Sequence, residues 1–182
     1  MKRFVKILLV VLMGVGMASE IQAQTLGAPD FMKGKYVTGG SIGAGFSGNQ
    51  FYFGVAPQLG YRLTRSLEAG ARLGYDLHYY NDYYYGSYFT HIISGSVYAN
   101  LEIIWGLYVH AEYEKQCVLH SGSVVTHTGP SWYDSMLVGA GYRQYAGNQF
   151  LYYSILYDLN WDYYNSLYNS PFVIRMGYCY CF

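Results

Sequence analysis

The chain is short of charge. Lys, Arg, Asp and Glu make up only 12% of its 182 residues, about half the share of an ordinary soluble domain. A water-solvated surface is hard to build from so few ionisable groups. The 11 basic and 11 acidic residues cancel, which excludes the basic face that nucleic acid requires. Long apolar runs are missing as well. Beyond the first residues no stretch approaches the roughly 18 apolar residues of a membrane-spanning helix, so a helical membrane protein is excluded. Cysteine is scarce and odd in number: Cys117, Cys179 and Cys181. Cys179 and Cys181 fall two apart on one face of one strand, where side chains diverge and bridging geometry is poor. They read as small interior residues. A Cys-x-Cys metal site needs further ligands that the sequence does not identify, so no metal or other cofactor is expected.

What the chain has instead is aromatic residues, 20% of the total, with 24 tyrosines. It also opens with the cationic Met1-Lys2-Arg3 and Lys6, followed by the apolar run Ile7 to Met13 and then small and polar residues. That is the pattern of a secretory signal peptide, too short in its apolar part to span a bilayer, with a cut expected after Ala23. Residues 1–23 are therefore read as a Sec signal, 24–35 as a short periplasmic segment, and 36–182 as the folded unit. Removing Lys2, Arg3, Lys6 and Glu20 leaves 8 basic and 10 acidic residues, so the mature charge is 8 − 10 = −2. An exported chain that is apolar, charge-poor and without a spanning helix has one remaining way to satisfy its backbone in lipid, a closed β-barrel.

Period-two alternation supports that reading and repeats eight times. The third segment is the cleanest: Leu67, Ala69, Ala71, Leu73, Tyr75, Leu77 and Tyr79 alternate with Glu68, Gly70, Arg72, Gly74, Asp76 and His78. The last segment sets Phe172, Ile174, Met176, Tyr178, Tyr180 and Phe182 against Val173, Arg175, Gly177, Cys179 and Cys181. Pro57 removes a ladder donor from the second segment, so a bulge or local weakness is expected there. The fifth segment is read over Leu107 to Glu114, with a loop from about Val118 to Pro130, and the seventh runs to Trp161. Short turns near residues 65, 105 and 147 alternate with longer connections near 83, 124 and 166, as in barrels with periplasmic turns and external loops. The expected fold is an all-β, eight-stranded antiparallel up-and-down transmembrane barrel.

Alternation does not say which face is inside; composition does. The polar set carries Gly, Ser and Ala with a few charges of both signs, too poor in Lys and Glu for a soluble exterior and small enough for a narrow lumen. Its ionisable members are Arg62, Glu68, Arg72, Asp76, Glu102, Glu112, Glu114, Arg143, Asp158 and Arg175. Buried unpaired charges cost several kcal/mol each, so these are expected to form a hydrogen-bonded network inside the barrel. The apolar set places aromatics near strand ends, with Tyr61 and Tyr142 on the periplasmic side and Phe51, Tyr79, Phe89, Trp132, Trp161 and Phe172 on the other, two girdles at the bilayer interfaces. His91 is the misfit of that set. Gly-Tyr pairs recur at 60–61, 74–75, 141–142 and 177–178, with glycine inward and the outward tyrosine expected to cover a neighbouring strand's glycine.

On these residues, and on the closing Tyr178, Tyr180 and Phe182, the chain resembles the small outer-membrane β-barrel families of Gram-negative bacteria, OmpA- and OmpX-like in architecture. Its tyrosine-rich, short-looped style is similar to the PorT-like barrels of Bacteroidetes. The resemblance implies that Tyr178, Tyr180 and Phe182 act as a sorting signal read by the barrel assembly machinery. It also implies periplasmic chaperones during biogenesis, outer-membrane lipid and lipopolysaccharide as surroundings, and a monomer. The expected role is structural or surface-binding and not enzymatic. A tyrosine cluster (Tyr79, Tyr80, Tyr83, Tyr84, Tyr85 and Tyr88) and the loop with Tyr163, Tyr164 and Tyr168 would supply an adhesive rim. Two alternatives are a lipid A-modifying enzyme, for which His120, Ser121, Ser123, His127, Ser131 and Asp134 are the available groups, and a narrow channel.

Overall fold

A computed structural model describes residues 35–182 apart from 48–49, 83–85, 105, 123–129, 165 and 169. The signal peptide and nearly all of the periplasmic segment lie outside the described residues, as do Tyr83 to Tyr85, Ser123 and His127. Eight strands follow one another: β1 (Tyr36–Ser47), β2 (Gln50–Arg62), β3 (Leu67–Asp82), β4 (Gly86–Ile104), β5 (Leu107–Gly122), β6 (Ser131–Ala146), β7 (Gln149–Asp158) and β8 (Phe172–Cys181). Each pairs antiparallel with the next, and β8 returns to β1, closing the sheet.

Two turns are set by glycine. Gly106 (φ 82°) and Gly147 (φ 65°) sit in the left-handed region where a side chain is disfavoured, and they reverse the chain between β4 and β5 and between β6 and β7. Glu102 also accepts a hydrogen bond from the Gly106 amide at 3.1 Å, next to an irregularity in register between Glu102 and Ile104. These tight turns and both strand termini, Tyr36 and Cys181, lie at one end, called here the turn end. The opposite strand ends, at Asp82, Gly86, Gly122, Ser131, Asp158 and Phe172, lie at the other, the loop end.

Several strand limits differ from the sequence reading. β5 does not stop at Glu114 but runs to Gly122, paired with β4 as far as Tyr88 opposite Gly122. Its alternation continues, with Gln116 and Val118 buried and Leu119 exposed, so the expected loop begins later. β7 ends at Asp158, three residues earlier than expected. The Asp158 carboxylate accepts hydrogen bonds from the amides of Met136 (3.1 Å) and Asn160 (2.9 Å), which turns the chain out of the ladder. At Pro57 the β2–β3 pairing skips from Val55–Tyr75 to Gln58–Arg72 with the register unchanged. The missing amide thus produces a local gap and not a bulge.

Candidate functional site

The two faces of the strands separate cleanly. Leu73, Ile155 and Ile174 on the outside are 68, 62 and 71% exposed, whereas the interleaved residues are buried or partly so. Tyr61, Phe89, Trp132, Tyr142, Phe172, Tyr178, Tyr180 and Phe182 are all exposed on the outer face. Phe51 and Tyr79 are half-buried there and directly opposite each other. Trp161 departs from the expected strand position. It lies in the connection after β7, with its indole N–H donating to the Tyr168 carbonyl at 2.9 Å. His91, the outward misfit, is hydrogen-bonded through Nδ1 to the Tyr75 hydroxyl at 2.8 Å, one strand away. Its polar atom is therefore satisfied on an apolar face.

Inside the barrel the ionisable residues form two layers. At the turn end Arg143 lies 2.9 Å from Glu68 and 3.8 Å from Glu102, and Arg62 lies 3.6 Å from each. The Tyr145 hydroxyl receives an Arg62 hydrogen bond at 2.7 Å and donates to Glu102 at 2.5 Å. Arg143 is also held over the rings of Tyr108 (4.7 Å) and Phe150 (4.8 Å). These rings shield the guanidinium and attract it through their π faces.

The second layer lies nearer the loop end. Arg175 bridges Glu112 and Glu114 (3.0 Å to the latter), and Arg72 lies 3.6 Å from Glu112. His110 is fixed on both sides, Nδ1 to Asn100 at 2.6 Å and Nε2 to Glu112 at 3.0 Å. Ser96 donates to the other Glu112 oxygen. Tyr168 reaches in from the β7–β8 connection to donate to Glu114 at 2.6 Å, and Arg175 donates to its hydroxyl at 3.2 Å. Burial and the neighbouring Glu114 carboxylate push the Tyr168 phenol up, against the opposing pull of Arg175. Each layer holds two arginines and two glutamates, so each is neutral by itself.

Two of the ten expected network members stand apart. Asp158 is buried but caps backbone amides, and Asp76 accepts from the Tyr52 hydroxyl at 3.0 Å. Tyr168 also differs from expectation, since it is an interior ligand of Glu114 and not part of a rim. Tyr163 and Tyr164 in the same connection are 77 and 88% exposed. Tyr79 donates to Ser87 at 3.1 Å, and Tyr80 stacks on His78.

The sequence reading underrated large residues inside. Tyr98, Tyr108 and Tyr152 are buried, and each stands directly opposite a glycine in register: Gly70, Gly141 and Gly177. The Tyr98 hydroxyl sits 2.6 Å from where a Cβ on Gly70 would lie, and that of Tyr152 sits 2.6 Å from one on Gly177. The sequence reading expects outward tyrosines to cover neighbouring glycines; on the side-chain face of Gly70, Gly141 and Gly177 the covering tyrosine is an inward one. Glycine does turn inward, and at these three positions the inward tyrosine of the paired strand fills the space that a side chain on the glycine would need in the narrow interior. An inward tyrosine opposite a glycine, once strands are paired, is the signal that finds them. Between the layers Arg72, Arg143, Tyr152, Gln58 and Ser154 line a cavity.

Of the groups named for a lipid-modifying enzyme, the side chains of His120 and Ser121 lie outside the described residues, as Ser123 and His127 do. Asp134 pairs with Lys115 at 3.2 Å on the outer surface, and Ser131 is exposed at the start of β6, on the strand's other face. Cys179 accepts a hydrogen bond from Gln58 at 2.9 Å, and all three cysteines are free. Among the described residues no group of three His, Cys, Asp or Glu side chains is placed to hold a metal ion.

These features define a closed eight-stranded antiparallel barrel with an apolar exterior and a charge-paired interior. The chain is similar to a solved structure, the N-terminal β-barrel domain of Pseudomonas aeruginosa OprF. The two share 18% sequence identity, with 81% of this chain and 96% of that one covered and a TM-score of 0.45. No protein-family model matches the chain, and no curated protein matches it.

Proposed function

We propose that this protein is an integral outer-membrane β-barrel with a filled polar interior, structural or surface-binding in role and without enzymatic activity. The carrying observation is the inversion of the two faces: apolar side chains ring the outside while both neutral ion-pair layers lie within. In water that arrangement would expose a continuous apolar band, which monomeric soluble proteins avoid. In a bilayer it is the favourable one. The band also has the right height. Trp132 and Tyr142 lie ten residues apart on β6, and at roughly 3.3 Å per residue with a tilt near 40° they span about 25 Å.

The rim tyrosines are the proposed contact surface, led by Tyr163 and Tyr164, since tyrosine offers contact area at low entropic cost. The tyrosine-rich style favours the Bacteroidetes type within this class. Export by the Sec signal, assembly guided by Phe182 and a monomeric state complete the reading. The test is to fractionate cells that express the full chain and run the outer membranes with and without boiling. The expected result is a heat-dependent gel shift in that fraction, with an epitope inserted between Tyr163 and Tyr164 accessible on intact cells. A soluble periplasmic protein with no shift would overturn the proposal.

A further inference from the structure

The barrel is closed by an incomplete seam. β1 pairs with β8 only from Val37–Cys181 to Gly40–Tyr178, extended by reciprocal backbone hydrogen bonds of 3.0 Å between Tyr36 and Phe182. Both strands continue towards the loop end, β1 to Ser47 and β8 back to Phe172. Their register also continues. With Gly40 opposite Tyr178, Ser41 would meet Gly177, Ile42 would meet Met176, and so on to Phe46 opposite Phe172. Among the described residues none of these six pairings is formed.

The exchange between Tyr36 and Phe182 fixes which amides face the seam. Alternation directs those of Thr38, Gly40, Ile42 and Ala44 towards β8, and those of Met176, Ile174 and Phe172 towards β1. Phe172 has turned to a substitute, since its amide donates to the Ser170 hydroxyl at 3.1 Å.

Three further observations place a hinge at the fork. Gly40 has φ +155°, a conformation that side chains rarely adopt. Its neighbour across β2 is Pro57, where the β2–β3 ladder is interrupted, so two ladders break at one level. The Tyr152 ring covers Gly177, the first β8 residue beyond the paired part, and its hydroxyl donates to Gln58 at 3.3 Å, next to Pro57. Beyond the fork the interior is less closed. The Arg175 side chain is 12% exposed, against 1, 6 and 2% for Arg62, Arg72 and Arg143.

We propose that the loop-end half of the β1–β8 seam is a lateral gate, hinged at Gly40, that opens the second ion-pair layer sideways and closes by zipping in the existing register. This inference stands on strand pairing and does not depend on where the barrel resides.

The gate is tested with the folded chain in detergent micelles, with Cys117→Ser to remove the outward thiol. A pair of substitutions, Ile42→Cys with Met176→Cys, faces across the gate. A control pair, Thr38→Cys with Tyr180→Cys, faces across the paired part. Disulfides require Cα atoms within about 7 Å, so oxidation reports the closed state. The gate pair is expected to cross-link about 10- to 1,000-fold more slowly than the control, as for a minor state, yet to reach completion. In the unsubstituted protein the amides of Ile42 and Ala44 should exchange with deuterium correspondingly faster than that of Thr38. Equal cross-linking rates, or equal protection of those amides, would show a permanently zipped seam. A gate pair that never links while the control does would show that the strands do not meet. Either result overturns the proposal.

Discussion

Arg143 is the most demanding test of the charge-layer argument. Its side chain is 2% exposed, it lies 2.9 Å from Glu68 and 3.8 Å from Glu102, and two aromatic rings hold it at 4.7 and 4.8 Å. Arg143→Met keeps much of the volume and removes the charge. The layer then passes from two arginines and two glutamates to one and two, leaving an uncompensated carboxylate that is 1% exposed. Removing one partner of a buried pair typically costs about 3–5 kcal/mol, and the lost ring contacts push the expected value towards the upper end. Adding Glu68→Gln restores the balance, with Arg62 and Glu102 remaining as a 3.6 Å pair. The double variant should therefore recover about 2 kcal/mol or more of that loss, a coupling of the size seen between contacting charges. Reversible urea unfolding in detergent micelles, followed by tryptophan fluorescence and by heat-dependent gel mobility, gives both numbers. A single substitution costing under about 1 kcal/mol, or a double variant no better than the single, would refute the view that neutrality within the layer matters.

Two other outcomes follow from the geometry. Gly141→Ala puts a Cβ against the Tyr108 ring and the Tyr153 carbonyl oxygen; the expected loss is about 1–3 kcal/mol in the same unfolding assay, while Gly147→Ala, with nothing within 4 Å of its Cβ but φ 65°, should cost about 1 kcal/mol through backbone strain alone. Leu73→Arg on the outer face should destabilise the vesicle-inserted barrel by about 2–4 kcal/mol, whereas Tyr163→Arg at the rim should be near neutral; equal tolerance at the two sites would contradict immersion of the outer face in lipid.

Much of the architecture was legible because period two is a strong signal when both faces are constrained. β3 is the clearest case, since Glu68, Gly70, Arg72 and Gly74 could not share a face with Leu67, Ala69, Ala71 and Leu73 unless one face left the other's solvent. Strand ends were less legible, for a local reason. Nothing in the order of residues distinguishes Gln116 to Gly122 as strand from the same residues as loop until β4 supplies partners for them. Trp161 was misplaced because the Asp158 carboxylate ends β7, and a capping aspartate inside an alternating run looks like any other inward polar residue. Alternation already turned Tyr108 and Tyr152 inward, but their pairing with glycines and the incomplete seam were not legible. Both depend on which residue stands opposite which across a strand pair, and alternation carries no information about register.

The two charge layers bear on where this protein can act. Each layer balances its own arginines and glutamates, and aromatic rings close around the one at the turn end, so neither leaves a charge free to draw an ion through the barrel. A steady conductance would need at least one layer to separate, at the energetic cost of uncovering buried charge. The loop end is built differently: Asp76 is only half-buried and joined to Tyr52, His78 stacks on Tyr80, Tyr163 and Tyr164 stand in the open, and the seam beside Arg175 is unpaired. The proposed surface-binding role therefore belongs at that end, where side chains are not already committed to holding the interior together.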